Sequence, residues 1–399
     1  MSGDVRRFVA VVTAWQIVAS SCYYAVFAAA PFVRETFGLS RFLVGVVVTT
    51  MTLGYTLFLF PSGAAVDAYG ERPMLVGGLA ALGAGAVAVA IAPSVAVLFV
   101  AAFALGSAYA SAMPAGNRAI VVGVPSDVRG VALGLKQVGV TVGSGLSAVV
   151  VVTLAPMVAT WTAGLVALGA SAVVVAGLFA AGYPAHPGDG RLTTPDIAGL
   201  RANGPYVALV LAGFFLGAAL FTTVGYLTLY LTESVGVAAS LAGIGFVLLQ
   251  VTASVGRVVI GDLADRLERR TDWGRARSAA TLLTGQVAIG AVLLGGFALP
   301  VSTAVAFVLV AGIGLTVLGF PGLYYTCMSA LVDDSEVGAA TAGGQTTLNA
   351  GALVAPPAFG WLADTLSYRA SWGLLTGSAI VGVALVGVVV WRTRNGPEA

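Results

Sequence analysis

The sequence predicts an all-α integral membrane protein, with twelve transmembrane helices in two parallel-repeat six-helix halves. Three observations carry this. Hydrophobic residues make up 58% of the 399 residues and charged residues only 9%, with a mean hydropathy of +0.97; a soluble domain carries about 25% charged residues. The apolar residues come in continuous runs of about 20, the length that crosses a bilayer. The two halves of the chain also repeat one another. One globular core cannot absorb such an apolar excess, so lipid is the expected solvent. A β-barrel would show short alternating segments instead.

The runs fall near 8–30, 42–64, 74–92, 95–120, 130–156 and 161–183, then near 205–231, 238–261, 278–299, 301–328, 338–361 and 369–391. The first follows Arg6 and Arg7 and ends on Ala28-Ala29-Ala30, which mimics a secretory leader. It is long and carries Trp15, Gln16, Tyr23 and Tyr24, so it is read as a retained span. The halves are 1–182 and 205–399, joined by a linker at 183–204 rich in Pro, Gly and Asp. With twelve spans both termini share a side. That side holds Arg6, Arg7, Arg72, Arg129, Arg191, Arg201, Arg266, Arg269, Arg270, Arg275, Arg277, Arg392 and Arg394, and the other only Arg34, Arg41 and Arg369. Positive charge marks the cytoplasmic face, so both termini are expected in the cytoplasm and the linker with them.

The repeat appears at two offsets. An offset of 198 places Glu35 on Glu233, Gly38 on Gly236, Gly45 on Gly243, Gly63 on Gly261, Asp67 on Asp265 and Arg72 on Arg270. An offset of 208 places Gly130 on Gly338, Ala132 on Ala340, Gln137 on Gln345 and Gly143 on Gly351. The matching stretch Gly63-Ala-Ala-Val-Asp67-Ala-Tyr-Gly70-Glu-Arg72, between spans two and three, resembles the signature loop of the major facilitator superfamily. Gly261-Asp-Leu-Ala-Asp265-Arg266 is similar at the equivalent place in the second half. The resemblance covers essentially the whole chain. It implies the twelve-helix fold of that superfamily and secondary transport by alternating access, with spans one, four, seven and ten lining the pathway.

Gly63 and Gly261 are expected to let helices approach closely. Asp67 and Asp265, with Arg72 and Arg266, are expected to act in gating by pairing with arginines or helix N-termini. Ala68 and Glu71 depart from the family pattern, which has basic residues there, so the first latch is expected to be the weaker.

Charge inside a span is expensive and points to function. The candidates are all basic: Arg118 in span four, Lys136 in span five and Arg257 in span eight. Lys136 is the chain's only lysine. No Asp or Glu sits convincingly at the centre of a span, so the composition favours an anionic substrate. Gly256-Arg257-Val-Val-Ile-Gly261 resembles span eight of monocarboxylate and oxalate-type transporters, which implies that Arg257 pairs with a substrate carboxylate. An arginine fork suits that role. Ala253 stands where the proton-coupled members carry Asp, so their coupling chemistry is not carried over. Each cation also has a structural reading, as a charge snorkelling to the interface; for Arg118 that reading is an anchor, and for Lys136 it can also be a gate.

Polar stripes complete the candidate cavity: Gln16, Ser20 and Tyr24; Tyr109, Met113 and Asn117; Thr222, Tyr226 and Tyr230; Gln345 and Asn349; with Tyr324 and Tyr325 within reach. Spacings of three and four place each set on one helical face. Each serves either the pathway or interhelical hydrogen bonding.

No Gly-x-x-x-x-Gly-Lys-Ser/Thr phosphate loop, Cys/His metal cluster or paired catalytic carboxylates are present. Cys22 and Cys327 lie inside spans. We therefore expect no enzyme activity, cofactor, metal, disulfide or nucleic-acid partner. The only histidine, His186, lies between Pro184 and Pro187 and reads as a solvated loop residue. The expected function is transport of a small, monocarboxylate-like organic anion across the cell membrane by a monomer, with a coupling proton or other ion. Efflux of a drug-like hydrophobic compound is the alternative, and a transporter-shaped sensor without flux a further one.

Overall fold

The computed structural model describes residues 3–125, 128–158, 160–184, 186–188, 199–333 and 336–395. Half of the expected linker, including Arg191, lies outside the described residues. Helices follow the apolar runs: α1 (Gly3–Ala28), α2 (Ala30–Phe37), α3 (Arg41–Tyr69), α4 (Glu71–Ala90), α5 (Val95–Tyr109), α6 (Ala112–Gly123), α7 (Arg129–Met157) and α8 (Thr162–Gly182). Then come α9 (Gly204–Glu233), α10 (Ala239–Arg270), α11 (Arg275–Gly296), α12 (Thr303–Ile313), α13 (Pro321–Ser329), α14 (Val337–Thr365) and α15 (Tyr368–Asn395). Pairs α5–α6 and α12–α13 each make one broken span, Val95–Gly123 and Thr303–Ser329. Among the described residues eleven spans are long and apolar enough to cross a membrane. The twelfth, α14, matches them in length at 29 residues but contains Gln345, Asn349, Pro356 and Pro357.

Two boundaries correct the sequence reading. Asp67 and Asp265 lie inside the last turns of α3 and α10, not in loops. α3 runs on through Pro61 and stops only at Gly70, whose φ is 83°. In α10 the exposed end continues through an i,i+4 pair, Arg266 Nη2 to Asp262 Oδ2 at 2.7 Å, and closes on Arg269 and Arg270, where cations suit the helix dipole.

The chain forms two compact units. The first comprises Met1–Leu39, Val47–Thr194 and Ala238–Val247, the second Ser40–Val46, Pro195–Val237 and Leu248–Ala399. The repeat is visible in both at atomic detail. Ser94 and Ser302, related by the 208 offset, each cap a helix by accepting from the backbone N–H three residues on. Gly38 and Gly236, related by 198, both adopt the left-handed conformation, at φ 60° and 78°, that favours glycine.

The same correspondence fixes the main helix crossings. In the first unit α1 packs on α7 at Gly143, where an added Cβ would run into Ile17 O. In the second, α9 packs on α14 at Gly351, where it would run into Phe214 O. Backbone cannot retreat as a side chain can, so Gly351→Ala is expected to cost about 1–3 kcal/mol by overpacking. The variant should lose most of its monodisperse peak in size-exclusion chromatography, while Gly177→Ala, with open space around it, keeps it.

Within the second unit, the start of α3 is tied to α9, α14 and α15. Asp364 accepts from the backbone N–H groups of Arg41 and Phe42 at 3.1 and 2.8 Å. A carboxylate at a helix N-terminus satisfies two orphan donors and the dipole together. Arg41 Nε then donates to Glu233 at 2.7 Å, and the Tyr368 hydroxyl donates to the same carboxylate oxygen at 2.7 Å.

Candidate functional site

Both broken spans have a physical cause. Proline lacks an N–H, so it cannot bond the carbonyl four residues back. Pro114 releases Ala110 O, and the chain there tightens to i→i−3 bonds, Ala110 N–H to Ser107 O at 3.3 Å and Ser111 N–H to Ala108 O at 3.4 Å. Pro321 releases Val317 O, and the preceding residues, Gly314–Leu318, form a π-helical turn. Such interruptions are frequent at functional sites and mark substrate sites in transporters.

In the first unit the break gathers polar and aromatic groups. Gln16 Nε2 donates to Ser20 Oγ at 3.0 Å, and Ser20 shares a 2.9 Å hydrogen bond with the Tyr109 hydroxyl. Tyr23 stacks on Tyr109 with ring centroids 4.3 Å apart. Tyr24 approaches Tyr109 edge-on at 6.3 Å, and Tyr55 of α3 lies 5.9 Å away. Two turns on, Lys136 Nζ donates to Asn117 Oδ1 at 2.8 Å and to Met113 O at 3.5 Å. The absence of a side chain at Gly116 makes room for it, since a Cβ there would lie 2.7 Å from Lys136 Cε.

Lys136 is 1% exposed, and among the described residues no carboxylate pairs with it. Gln16 Oε1 is buried without a hydrogen-bond partner. Tyr24, Tyr55, Met113 and Asn117 are half-buried, so this cluster has an open side. Chemically it offers one cation, an unused acceptor and several hydroxyls against aromatic walls.

The second unit builds a neutral counterpart. The 208 offset places Asn117 on Tyr325 and Lys136 on Gly344, next to Gln345. The Tyr325 hydroxyl donates to Gln345 Oε1, and Gln345 Nε2 donates to Asn349 Oδ1 at 2.9 Å. Asn349 Nδ2 is buried without a partner. Arg257 donates from Nε and Nη2 to Leu318 O, both at 3.3 Å, inside the π-helical turn.

Several expected site residues are engaged elsewhere. The Tyr226 hydroxyl donates to Arg41 O and the side chain is fully buried, so it braces α3. Tyr324 is also fully buried and donates to Gly344 O at 3.4 Å. Arg118 turns to Glu71, Nε to Oε2 at 3.4 Å, and donates from Nη2 to Pro187 O at 3.0 Å. Among the described residues Asp67 and Asp265 carry no ion pair. Arg72 donates to Ala180 O at 2.6 Å.

His186 is not the solvated loop residue that its flanking prolines suggested. Its Nδ1 donates to Glu71 Oε1 at 2.6 Å, and the Tyr183 hydroxyl donates to the same oxygen at 3.3 Å. Glu71 is completely buried; it stands where the superfamily pattern has a base, and here it draws the bases to itself. Burial first, and then this carboxylate, raise the Tyr183 pKa. A double-mutant cycle of Glu71→Gln and His186→Gln, read as unfolding free energy, should return a coupling of about 1–3 kcal/mol. Additive effects would mean that the pair contributes nothing.

The model of the Major Facilitator Superfamily matches residues 13–332. The chain belongs to this superfamily. A protein from Cupriavidus necator, named a probable sulfoacetate transporter, is 26% identical over 276 residues, which cover 64% of this chain and 64% of that protein's own length. The hexuronate transporter of Bacillus subtilis is 23% identical and covers 93% of this chain and 91% of its own. An uncharacterised superfamily member from Mycobacterium tuberculosis is 26% identical over 86% of this chain and 76% of its own. Among solved structures, a bacterial homologue of the human lysosomal transporter Spinster, inward-facing and occupied, superposes with a TM-score of 0.79 over 100% of both chains. At 15% identity that likeness shows the fold alone.

Proposed function

We propose that this superfamily member is a secondary active transporter of a small organic anion, working by alternating access in a cell membrane with both termini cytoplasmic. One observation carries the reading: the chain's only lysine is buried, hydrogen-bonded to Asn117, and without a carboxylate partner among the described residues. A buried cation that lacks a counter-charge is costly, and a substrate anion supplies one. Two relatives are named for organic anions, sulfoacetate and hexuronate, which agrees with that chemistry.

In this reading Lys136 holds the anionic group and Asn117 orients the lysine. Gln16, Tyr24 and Tyr109 bind the substrate's polar part in the first unit, and Gln345 and Asn349 form the matching polar pair of the second. Arg257 offers a second, forked cation. Arg118 anchors Glu71, and Tyr226 and Tyr324 brace helices. Asp67, Arg72, Asp265 and Arg266 serve the gate; Gly63 and Gly261 are not the close-packing positions the sequence suggested, since an added Cβ at either would meet nothing within 4 Å. Coupling to a proton or another ion completes the scheme.

A second reading, export of a drug-like compound, draws on the cluster of Tyr23, Tyr24, Tyr55 and Tyr109. A thermal-shift series separates the two, because a ligand that binds only the folded state stabilises it by mass action. Sulfoacetate, glucuronate and lactate should raise the melting temperature of the purified protein in a saturable way. Stabilisation by ethidium or tetraphenylphosphonium alone would favour export.

A further inference from the structure

An apolar groove of about 640 Å³ runs between α1 and α8 of the first unit, and none of its lining residues belongs to the Lys136 cluster. Its floor is Trp15, Phe179 and Tyr183, each at most 8% exposed. Trp15 already donates its indole N–H to Leu75 O at 3.0 Å, so the floor offers it to no ligand. The walls include Val11 and Leu178, 47% and 65% exposed, so nothing among the described residues covers the groove. Among the described residues its only charged lining residue is Arg7, at one end. Arg6 lies beside it, and Asp4 is the one carboxylate in that turn.

Length gives the groove a meaning. Arg7 to Val18 spans eleven helical steps, about 16 Å at ~1.5 Å per residue. One leaflet's share of the hydrocarbon core is about 15 Å. A slot as deep as one leaflet, apolar throughout and basic at its headgroup end, matches a single phospholipid. Arginine at a membrane surface favours an anionic headgroup.

We propose that the α1–α8 groove is a binding site for one anionic phospholipid, its acyl chain lying along Val11, Trp15 and Val18 and its phosphate on Arg7. Because Tyr183 forms part of the floor and bonds Glu71, the lipid packs directly against the anchor of the chain's 183–188 segment.

Native mass spectrometry of the full chain, with dioleoyl-phosphatidylglycerol and dioleoyl-phosphatidylcholine added at equal concentration, tests this. The wild type should retain one phosphatidylglycerol about fivefold more tightly than phosphatidylcholine, the factor that about 1 kcal/mol from one surface basic residue supplies. Arg7→Gln should retain both lipids equally. Ala14→Trp, an exposed groove position, should fill the slot and remove the retained lipid of either kind. Glycerol 3-phosphate should not compete, since the chain fills the groove. Unchanged phosphatidylglycerol retention in Ala14→Trp, or unchanged preference in Arg7→Gln, would overturn the proposal. A dimer in light scattering that Ala14→Trp converts to monomer would overturn it in favour of a second copy of this chain. If Ala14→Trp does not fold, the Arg7→Gln preference alone decides.

Discussion

Lys136→Met is expected to leave the protein folded, at least as stable as the parent, and unable to carry an organic anion. Methionine matches the length of the lysine side chain and fits beside Gly116, where an added Cβ would lie 2.7 Å from Lys136 Cε. The substitution removes a buried ammonium that lacks a counter-charge, whose desolvation costs several kcal/mol, against two lost hydrogen bonds to Asn117 and Met113. In the loaded transporter it removes one partner of a buried charge pair, worth about 2–5 kcal/mol, so uptake at subsaturating substrate should fall at least ~30-fold. Lys136→Ala is less informative because it also leaves a cavity. Uptake rate and melting temperature measured on the same preparation decide the matter. Loss of both together would make Lys136 a structural residue.

Arg257→Ala is expected to abolish flux, and Arg257→Lys to keep the fold while losing about tenfold in affinity. The guanidinium already directs Nε and Nη2 at Leu318 O, a carbonyl of the π-helical turn. A group that only props that turn needs one donor, and an ammonium supplies it. Lysine would then transport like the parent, and alanine would reduce yield rather than turnover. A group that also grips a carboxylate needs the planar fork, which lysine lacks. Michaelis constants from initial uptake rates, normalised to protein per vesicle, distinguish the two outcomes.

Much of the architecture was legible because it rests on local rules. Runs of ~20 apolar residues dictate spans, and the repeat offsets identified glycines that the structure uses identically, Gly38 with Gly236 and Gly143 with Gly351. Of Tyr109, Met113 and Asn117, which helical spacing set on one face, Asn117 meets Lys136 with its side chain, Met113 only with its backbone carbonyl, and the break at 110–111 parts Tyr109 from their helix.

What the sequence withheld depends on which helix lies beside which. Tyr55 reaches the Tyr109 cluster from α3, and no spacing within α3 announces it. Tyr23 joins through a stack with Tyr109, off the face shared by Gln16, Ser20 and Tyr24. Tyr226 had the right face but is used by a carbonyl at the start of α3. Glu71 registered only as a departure from the family pattern, yet it organises Arg118, Tyr183 and His186. Two prolines, Pro114 and Pro321, lie at the span breaks, a local signal that hydropathy runs alone do not capture.

Counterflow in proteoliposomes tests the central claim most directly. Vesicles holding the purified chain are loaded with unlabelled sulfoacetate or glucuronate and diluted into a trace of the same anion in labelled form. Exchange through a binding site that alternates between the two faces should draw label inward transiently, with saturable kinetics, and Lys136→Met vesicles should show none. Label uptake no greater than in protein-free vesicles for these anions and for lactate, from a preparation that does export ethidium, would contradict an anion transporter built around Lys136.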